Sequence, residues 1–402
     1  MVAPRTVDDA VAAIDVCRRH EVPVLSRGGG TSLAGQCCNT AVVLDWSKFC
    51  HRVESVDRER RTAVVEPGIA LDVLNAQLAE HGLRVGPKPS THVSCTIGGM
   101  IGNNSCGASA QAYGKMVDSV RRLEVLTYDG VRMWVGETDD EEYRSILAAG
   151  GRRAELYRGL RLLRDRHRVG IRTQYPDIPR RVSGYNLDSL LDENHFHVAR
   201  ALVGSESTLV TVLRAELDLA PTPGADTLVV LGFPDVTVAA DAVPRVNPHE
   251  PTALEGLDHR LIELEHSRAL AEQAAQHLPA GSGWLMVQFS GDDQDAADAK
   301  ARALIDDLGD SVSASFVHDP HEEKQMWAAR EAGLGATAYP PDGPETHEGW
   351  EDAAVPPERL GDYLRRRAGR RLLRAGGQLR LRARALRGVH GVRGGQAAPG
   401  RP

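Results

Sequence analysis

Residues 23–36 read Pro-Val-Leu-Ser-Arg-Gly-Gly-Gly-Thr-Ser-Leu-Ala-Gly-Gln, and residue types in this order suit the holding of an anion. Gly28, Gly29 and Gly30, with a fourth glycine at Gly35, leave a backbone with few β-carbons. Such a backbone turns sharply and takes positive φ. It also lets successive N–H groups, here those of Gly28 to Ser32, converge on one anion as a nest. Arg27 places a cation beside them, and a diphosphate is the ligand the pattern suits. No Gly-Lys-Ser/Thr follows, which excludes a Walker loop, and no Gly-x-Gly-x-x-Gly opens a helix here, so a Rossmann fingerprint is unsupported. On this stretch alone, an ordinary glycine-rich turn is the more common explanation.

A second stretch shifts that balance. From Gly86 to Gly107, and on to Tyr113-Gly114, Gly, Ser, Thr and Asn crowd together with Lys88 as the one Lys, Arg, Asp or Glu, where a surface loop would carry several. This composition suits a backbone that packs against a flat, polar ligand and donates many hydrogen bonds. Two further motifs follow in order, Ser183-Gly184-Tyr185-Asn186-Leu187 and Gly204-Ser205-Glu206-Ser207-Thr208-Leu209. Together the four resemble the FAD-binding domain of the vanillyl-alcohol oxidase/PCMH flavoproteins. Within that family the chain is similar to the FAD-linked D-lactate, glycolate and D-2-hydroxyglutarate dehydrogenases. The resemblance runs over about the first 360 residues of the 402.

The resemblance implies FAD as cofactor, with the pyrophosphate on Gly28, Gly29, Gly30, Thr31 and Ser32 beside Arg27. It implies Pro89, Ser90, Thr91, Gly98, Gly99, Asn103, Ser105 and Gly107 along the isoalloxazine and ribityl side, and Glu206 near the adenine ribose or diphosphate. Ser207 stands where the family pattern has glycine; if that position needs positive φ, serine there costs roughly 1 kcal/mol. Relatives with covalent flavin carry histidine in the glycine loop; Thr31 here implies non-covalent FAD. Trp327-Ala328-Ala329-Arg330-Glu331 resembles the family's Trp-x-x-Arg-Glu segment, which makes Arg330 the group gripping a substrate carboxylate, since a guanidinium pairs with it through two hydrogen bonds. A surface arginine paired with Glu331 or Asp352 is the plainer explanation. Tyr185 and Arg181 are further candidates beside the flavin, and His195 and His197 read as structural. The family takes its base and any metal ligands from a later His-x-x-Gly segment, which this sequence lacks, so no metal site is expected.

The elements that position these residues follow from periodicity. Thr6 with Asp9 caps a helix over 6–20 whose Val7, Val11 and Ile14 share a face. Short apolar strands flank the glycine loop at 22–25 and 41–45. A strand at 62–65, a helix carrying Leu71, Leu74 and Leu78, and a hairpin turning at Asp129-Gly130 come next. Residues 140–168 read as one charged, solvated helix. Val198–Val203 and Val210–Leu219 bracket the 204–206 turn, and Pro221-Thr222-Pro223-Gly224 breaks the chain. Beyond it lie strands at 227–233, 253–257, 284–289 and 312–317, with helices near 236–245 and 293–308.

The expected fold is α+β: a two-subdomain PCMH-type FAD-binding domain over 1–222, an incomplete α+β substrate cap over 223–360, and an Arg-rich tail over 361–402. No acidic residue follows Asp362, and that tail reads as disordered or as a shifted reading frame, consistent with a chain truncated at its C-terminus. A net charge of −7 and the absence of any apolar run long enough to span a bilayer argue against a nucleic-acid partner and an integral membrane segment. Six cysteines without Cys-x-x-Cys spacing argue against zinc or an iron–sulfur cluster and suit a reducing cytoplasm, with the inner membrane face as an alternative location. The expected function is oxidation of a small-molecule D-2-hydroxy acid to the 2-oxo acid, with electrons passed to a cytochrome, quinone or Fe-S carrier. Its alternatives are an FAD-binding protein without turnover and a UDP-N-acetylenolpyruvoylglucosamine reductase-like relative using NADPH.

Overall fold

The computed structural model describes residues 1–266, 277–338 and 354–369. Helix α1 (Val7–Arg19) begins at Thr6, whose Oγ1 accepts from the Asp9 N–H while the Asp9 carboxylate accepts from the Thr6 N–H, a reciprocal cap. Strands β1 (Val24–Arg27) and β2 (Val42–Asp45) pair in parallel, and the glycine loop leaves the end of β1. Next come β3 (Val53–Asp57), β4 (Thr62–Val65), α2 (Leu71–Leu78) and α3 (Ile97–Asn103). Then β5 (Val120–Leu126) and β6 (Arg132–Val135) form the hairpin, with Gly130 at φ 96. Helices α4 (Asp140–Ala149) and α5 (Gly151–Gln174) lead to β7 (Thr211–Asp218).

These strands make a five-stranded antiparallel sheet in the order β3-β4-β7-β5-β6. One face packs Ala63, Val65, Leu123, Val125, Ala215 and Leu217 against Leu71, Leu74 and Leu78 of α2 and Ile97, Met100 and Ile101 of α3. Leu126 and Leu213 pack against α1, Leu44 and Trp46 instead. Burying side chains of this size is worth about 1.5–3 kcal/mol each, so the sheet fixes both the glycine loop after β1 and the start of α3.

A second antiparallel sheet follows Pro221–Gly224, built from β8 (Ala225–Phe233), β9 (Ala253–Asp258), β10 (Gly283–Gly291) and β11 (Ser313–Val317) in the order β9-β10-β8-β11. Its helices are α6 (Val236–Val246), α7 (His259–His266), α8 (Gln294–Leu308) and α9 (Pro320–Ala338). The run Leu228-Val229-Val230-Leu231 is wholly buried because both faces are covered. Val229, Leu231 and Phe233 meet α6 and α8; Leu228 and Val230 meet Ile262 of α7 and Met326 and Ala329 of α9.

Three sequence expectations differ in detail. Gly150 and Gly151 at φ 68 and 70 split the 140–168 helix in two, and the second part buries Tyr157. The polar 86–107 stretch contains α3, capped by Thr96 Oγ1, which accepts from the Gly99 N–H. Helix α10 (Leu360–Gly369) crosses the boundary expected at 361 and packs on α6, where Arg365 pairs with Asp241. The rest of the expected tail, 370–402, lies outside the described residues, as does Asp352. No helix among the described residues is long and apolar enough to cross a membrane.

Candidate functional site

Two cavities share the ligand-suited residues. The first is a cradle of about 170 Å³ between the glycine loop, α3 and the 205–207 turn. Arg27, Gly28, Gly29, Gly30, Thr31, Ser32, Thr91, Gly98, Gly99, Asn103, Ser105 and Glu206 all line it. The two glycine-rich stretches that the sequence kept apart are packed on each other. A β-carbon on Gly29 would lie 2.0 Å from the Ser94 carbonyl oxygen, and one on Gly28 would lie 2.1 Å from Thr96 Oγ1. Part of the glycine requirement is therefore loop-on-loop packing, which the sequence alone did not separate from ligand binding. Asn103 Nδ2 donates to Ser32 Oγ at 3.1 Å, and the Glu206 N–H donates to the Gly102 carbonyl at 3.0 Å.

The 205–207 turn is left-handed. Glu206 has φ 49 and Ser207 φ 60, the conformation in which glycine carries no penalty. Ser207→Gly is accordingly expected to raise unfolding stability by about 1 kcal/mol, read from the denaturant midpoint, with flavin content unchanged.

The second cavity is a cleft of about 730 Å³ between these loops and the second sheet. Pro89, Ser90, Gly107 and Tyr185 line one side, and Glu255, Trp327, Arg330 and Glu331 the other. Gly107 has no room for a side chain, because a β-carbon there would lie 1.8 Å from the Lys88 carbonyl oxygen. The Tyr185 hydroxyl lies 2.8 Å from Thr208 Oγ1. Arg181 pairs with Asp188 and stacks 4.6 Å over the Tyr175 ring. Arg330 on α9 is paired with Glu255 on β9 at 2.9 Å, and Glu331, a partner expected from the sequence, does not take that place.

Glu331 turns instead to the first sheet's side. Its Oε2 is 3.2 Å from His92 Nε2 and its Oε1 3.7 Å from Lys88 Nζ. His92 Nδ1 lies 2.7 Å from Asp72 on α2. The Glu331 hydrogen bond raises the His92 pKa above its ordinary value, against burial and the Lys88 charge. Burial pushes Glu331 up, but His92 and Lys88 outweigh it and hold the carboxyl low. Nearer the start of α9, burial reinforced by Asp226 lifts Glu323 to about 7 in a neighbouring cavity. His197 accepts from the Arg200 N–H, and burial lowers its pKa to about 4.

The sequence-predicted residues thus fall into two groups, twelve on the cradle and Pro89, Ser90, Gly107, Tyr185 and Arg330 on the cleft. Sequence reasoning missed Glu255 and His92. Glu255 pairs with a residue 75 positions away and carries no local signal. His92 stands within the second polar stretch, three residues after Pro89, and only its residue type set it apart.

A family described as "FAD binding domain" matches residues 1–136, and one described as "FAD linked oxidases, C-terminal domain" matches residues 222–389. The chain belongs to the PCMH-type FAD-linked oxidase family. Its cofactor is FAD, and the cradle suits that group. Ser26 Oγ, Gln36 Oε1 and Trp46 Nε1 are buried on the cradle wall without a hydrogen-bond partner, so polar ligand atoms have acceptors and donors to meet.

Among this family's members, the chain is 29% identical to a D-2-hydroxyglutarate dehydrogenase of Pseudomonas putida, over 90% of this chain and 38% of that one. It is 28% identical to the glycolate oxidase subunit GlcD of Bacillus subtilis, over 91% and 66%. It is 26% identical to a D-lactate dehydrogenase of Archaeoglobus fulgidus, over 91% and 68%. The chain therefore spans about two fifths of the D-2-hydroxyglutarate dehydrogenases it matches. A solved alkyldihydroxyacetonephosphate synthase shares the fold, with TM-score 0.58 and 17% identity over 84% of this chain and 54% of that one.

Proposed function

We propose that this chain is the flavin- and substrate-binding part of a dehydrogenase that oxidises a D-2-hydroxy acid to its 2-oxo acid. In this reading residues 1–222 hold FAD without a covalent bond, and residues 223–360 cap the substrate. The observation that carries it is the position of Arg330, on the wall of a cleft whose other wall is the Pro89, Ser90 and Gly107 backbone. Names of relatives over nine tenths of the chain support the substrate class.

Oxidation of a 2-hydroxy acid removes a hydride from Cα and a proton from the hydroxyl, the proton leaving to water in the cleft. Bound FAD supplies the hydride acceptor. Arg330 offers the guanidinium fork that matches a carboxylate, and Glu255 aligns that fork through its 2.9 Å ion pair. Tyr185, held by Thr208, presents a hydroxyl to the same cleft. The electrons pass on to a cytochrome, a quinone or an iron–sulfur carrier.

Anaerobic titration of FAD-loaded protein with D-lactate and with D-2-hydroxyglutarate tests the reading. Loss of the oxidised-flavin absorbance with either acid is the expected result. Full retention of colour with both, in protein that has bound FAD, overturns it in favour of a flavin-binding chain without turnover.

A further inference from the structure

One imidazole links α2, on the first sheet's side, to α9, on the second sheet's side. His92 lies in the polar loop that follows the first sheet's α2, and it reaches a carboxylate on each side: Asp72 of α2 at 2.7 Å and Glu331 of α9 at 3.2 Å. Its side chain is only 14% exposed. Glu331 is the immediate neighbour of Arg330, and the two point in different directions, Glu331 to His92 and Arg330 to Glu255. A doubly paired imidazole needs both ring N–H groups as donors, which only the protonated ring has. Among the described residues, the charged groups facing it are Asp72, Glu331 and the cation Lys88 on its own loop.

We propose that His92, as an imidazolium bridging Asp72 and Glu331, is a positioning residue that fixes the Arg330-bearing helix α9 against the flavin-binding loops. It lines neither the cradle nor the cleft; it acts through Glu331 on the adjacent Arg330. The inference rests on the substrate reading above only for its effect on turnover; the bridge itself does not depend on that reading.

The direction with pH follows. The folded-state pKa of His92 is raised, chiefly by Glu331. The bridge is therefore fully formed below the ordinary histidine pKa of about 6.5 and is lost as pH rises through the raised value. On deprotonation one ring nitrogen becomes an acceptor facing a carboxylate, and one of the two links breaks.

The test is hydrogen–deuterium exchange of the full chain, loaded with FAD, followed on peptides from α9 and corrected for intrinsic exchange. In the unmodified protein, protection of α9 should fall about threefold or more between roughly pH 6 and pH 9. His92→Ala and Glu331→Gln should each show the lower protection at both pH values, and the double variant should lose no more than either alone. His92→Gln, which keeps the volume and one donor, guards against misfolding of the alanine variant and should be intermediate without pH dependence. In turnover, His92→Ala should raise KM for the hydroxy acid about tenfold with kcat within about twofold. Protection of α9 that ignores pH, or that survives both single changes, overturns the proposal. Altered exchange in protein that oxidises neither acid leaves the bridge standing and refutes the substrate reading.

Discussion

Arg330→Ala is expected to lower kcat/KM for the proposed hydroxy-acid substrate by about two to three orders of magnitude while FAD content stays unchanged. Truncating one partner of a hydrogen-bonded charge pair costs about 2–5 kcal/mol, and each 1.36 kcal/mol is about tenfold in rate. The Arg330 side chain is 34% exposed, which places the expectation in the middle of that range. Two effects add. The substrate carboxylate loses its fork, and Glu255 is left uncompensated in the same cleft, where it repels the carboxylate that enters. Arg330→Lys keeps the charge and loses the fork, so it should recover part of the rate but not all. Arg330 lies on the wall of the cleft opposite Pro89, Ser90 and Gly107 and does not line the cradle, so flavin absorbance per protein is the internal control. Wild-type kcat/KM in the alanine variant would remove Arg330 from the site.

The second large effect concerns the cradle wall. Gly29→Ala places a β-carbon 2.0 Å from the Ser94 carbonyl oxygen and 2.9 Å from its carbon, both backbone atoms that no rotamer change can move. Overpacking of this kind costs about 1–3 kcal/mol or more, and here it parts the glycine loop from the segment that caps α3. FAD retained through gel filtration should fall by about tenfold or more, with a lower melting temperature. Gly35→Ala is the comparison, since a β-carbon there meets nothing within 4 Å and the residue pays only for φ +89. That strain is about 1–2 kcal/mol, and flavin should be retained. Equal flavin content in the two variants would show that the loop-on-loop contact does not support the cradle.

Much of the fold was legible because it is local or periodic. The Thr6–Asp9 cap spans three residues, and the turn at Asp129-Gly130 is a two-residue signal. The apolar run in β8 marks a strand covered on both faces. The 207 position was legible as a question, since serine stood where glycine was expected, and φ 60 answers it. What stayed hidden is non-local. Which glycines serve packing and which serve a ligand depends on Ser94 and Thr96, about 65 residues further along. The Arg330–Glu255 pair joins residues 75 apart within the second sheet and its helices, and the His92–Glu331 pair joins residues 239 apart, from the first sheet's side to the second's. The Gly150–Gly151 break was present in the sequence, but charge periodicity on either side masked it.

The strand order β3-β4-β7-β5-β6 has a consequence during synthesis. β4 and β5 each wait for β7, which leaves the ribosome about 85 residues after Leu126. At translation rates of about 5–20 residues per second that is an interval of roughly 4–17 s. Throughout it a nascent chain carries two open backbone edges beside a half-built apolar face, the template for sticking to its neighbours on a polysome. A chaperone that shields residues 62–126 until β7 arrives is expected to raise the yield of this protein.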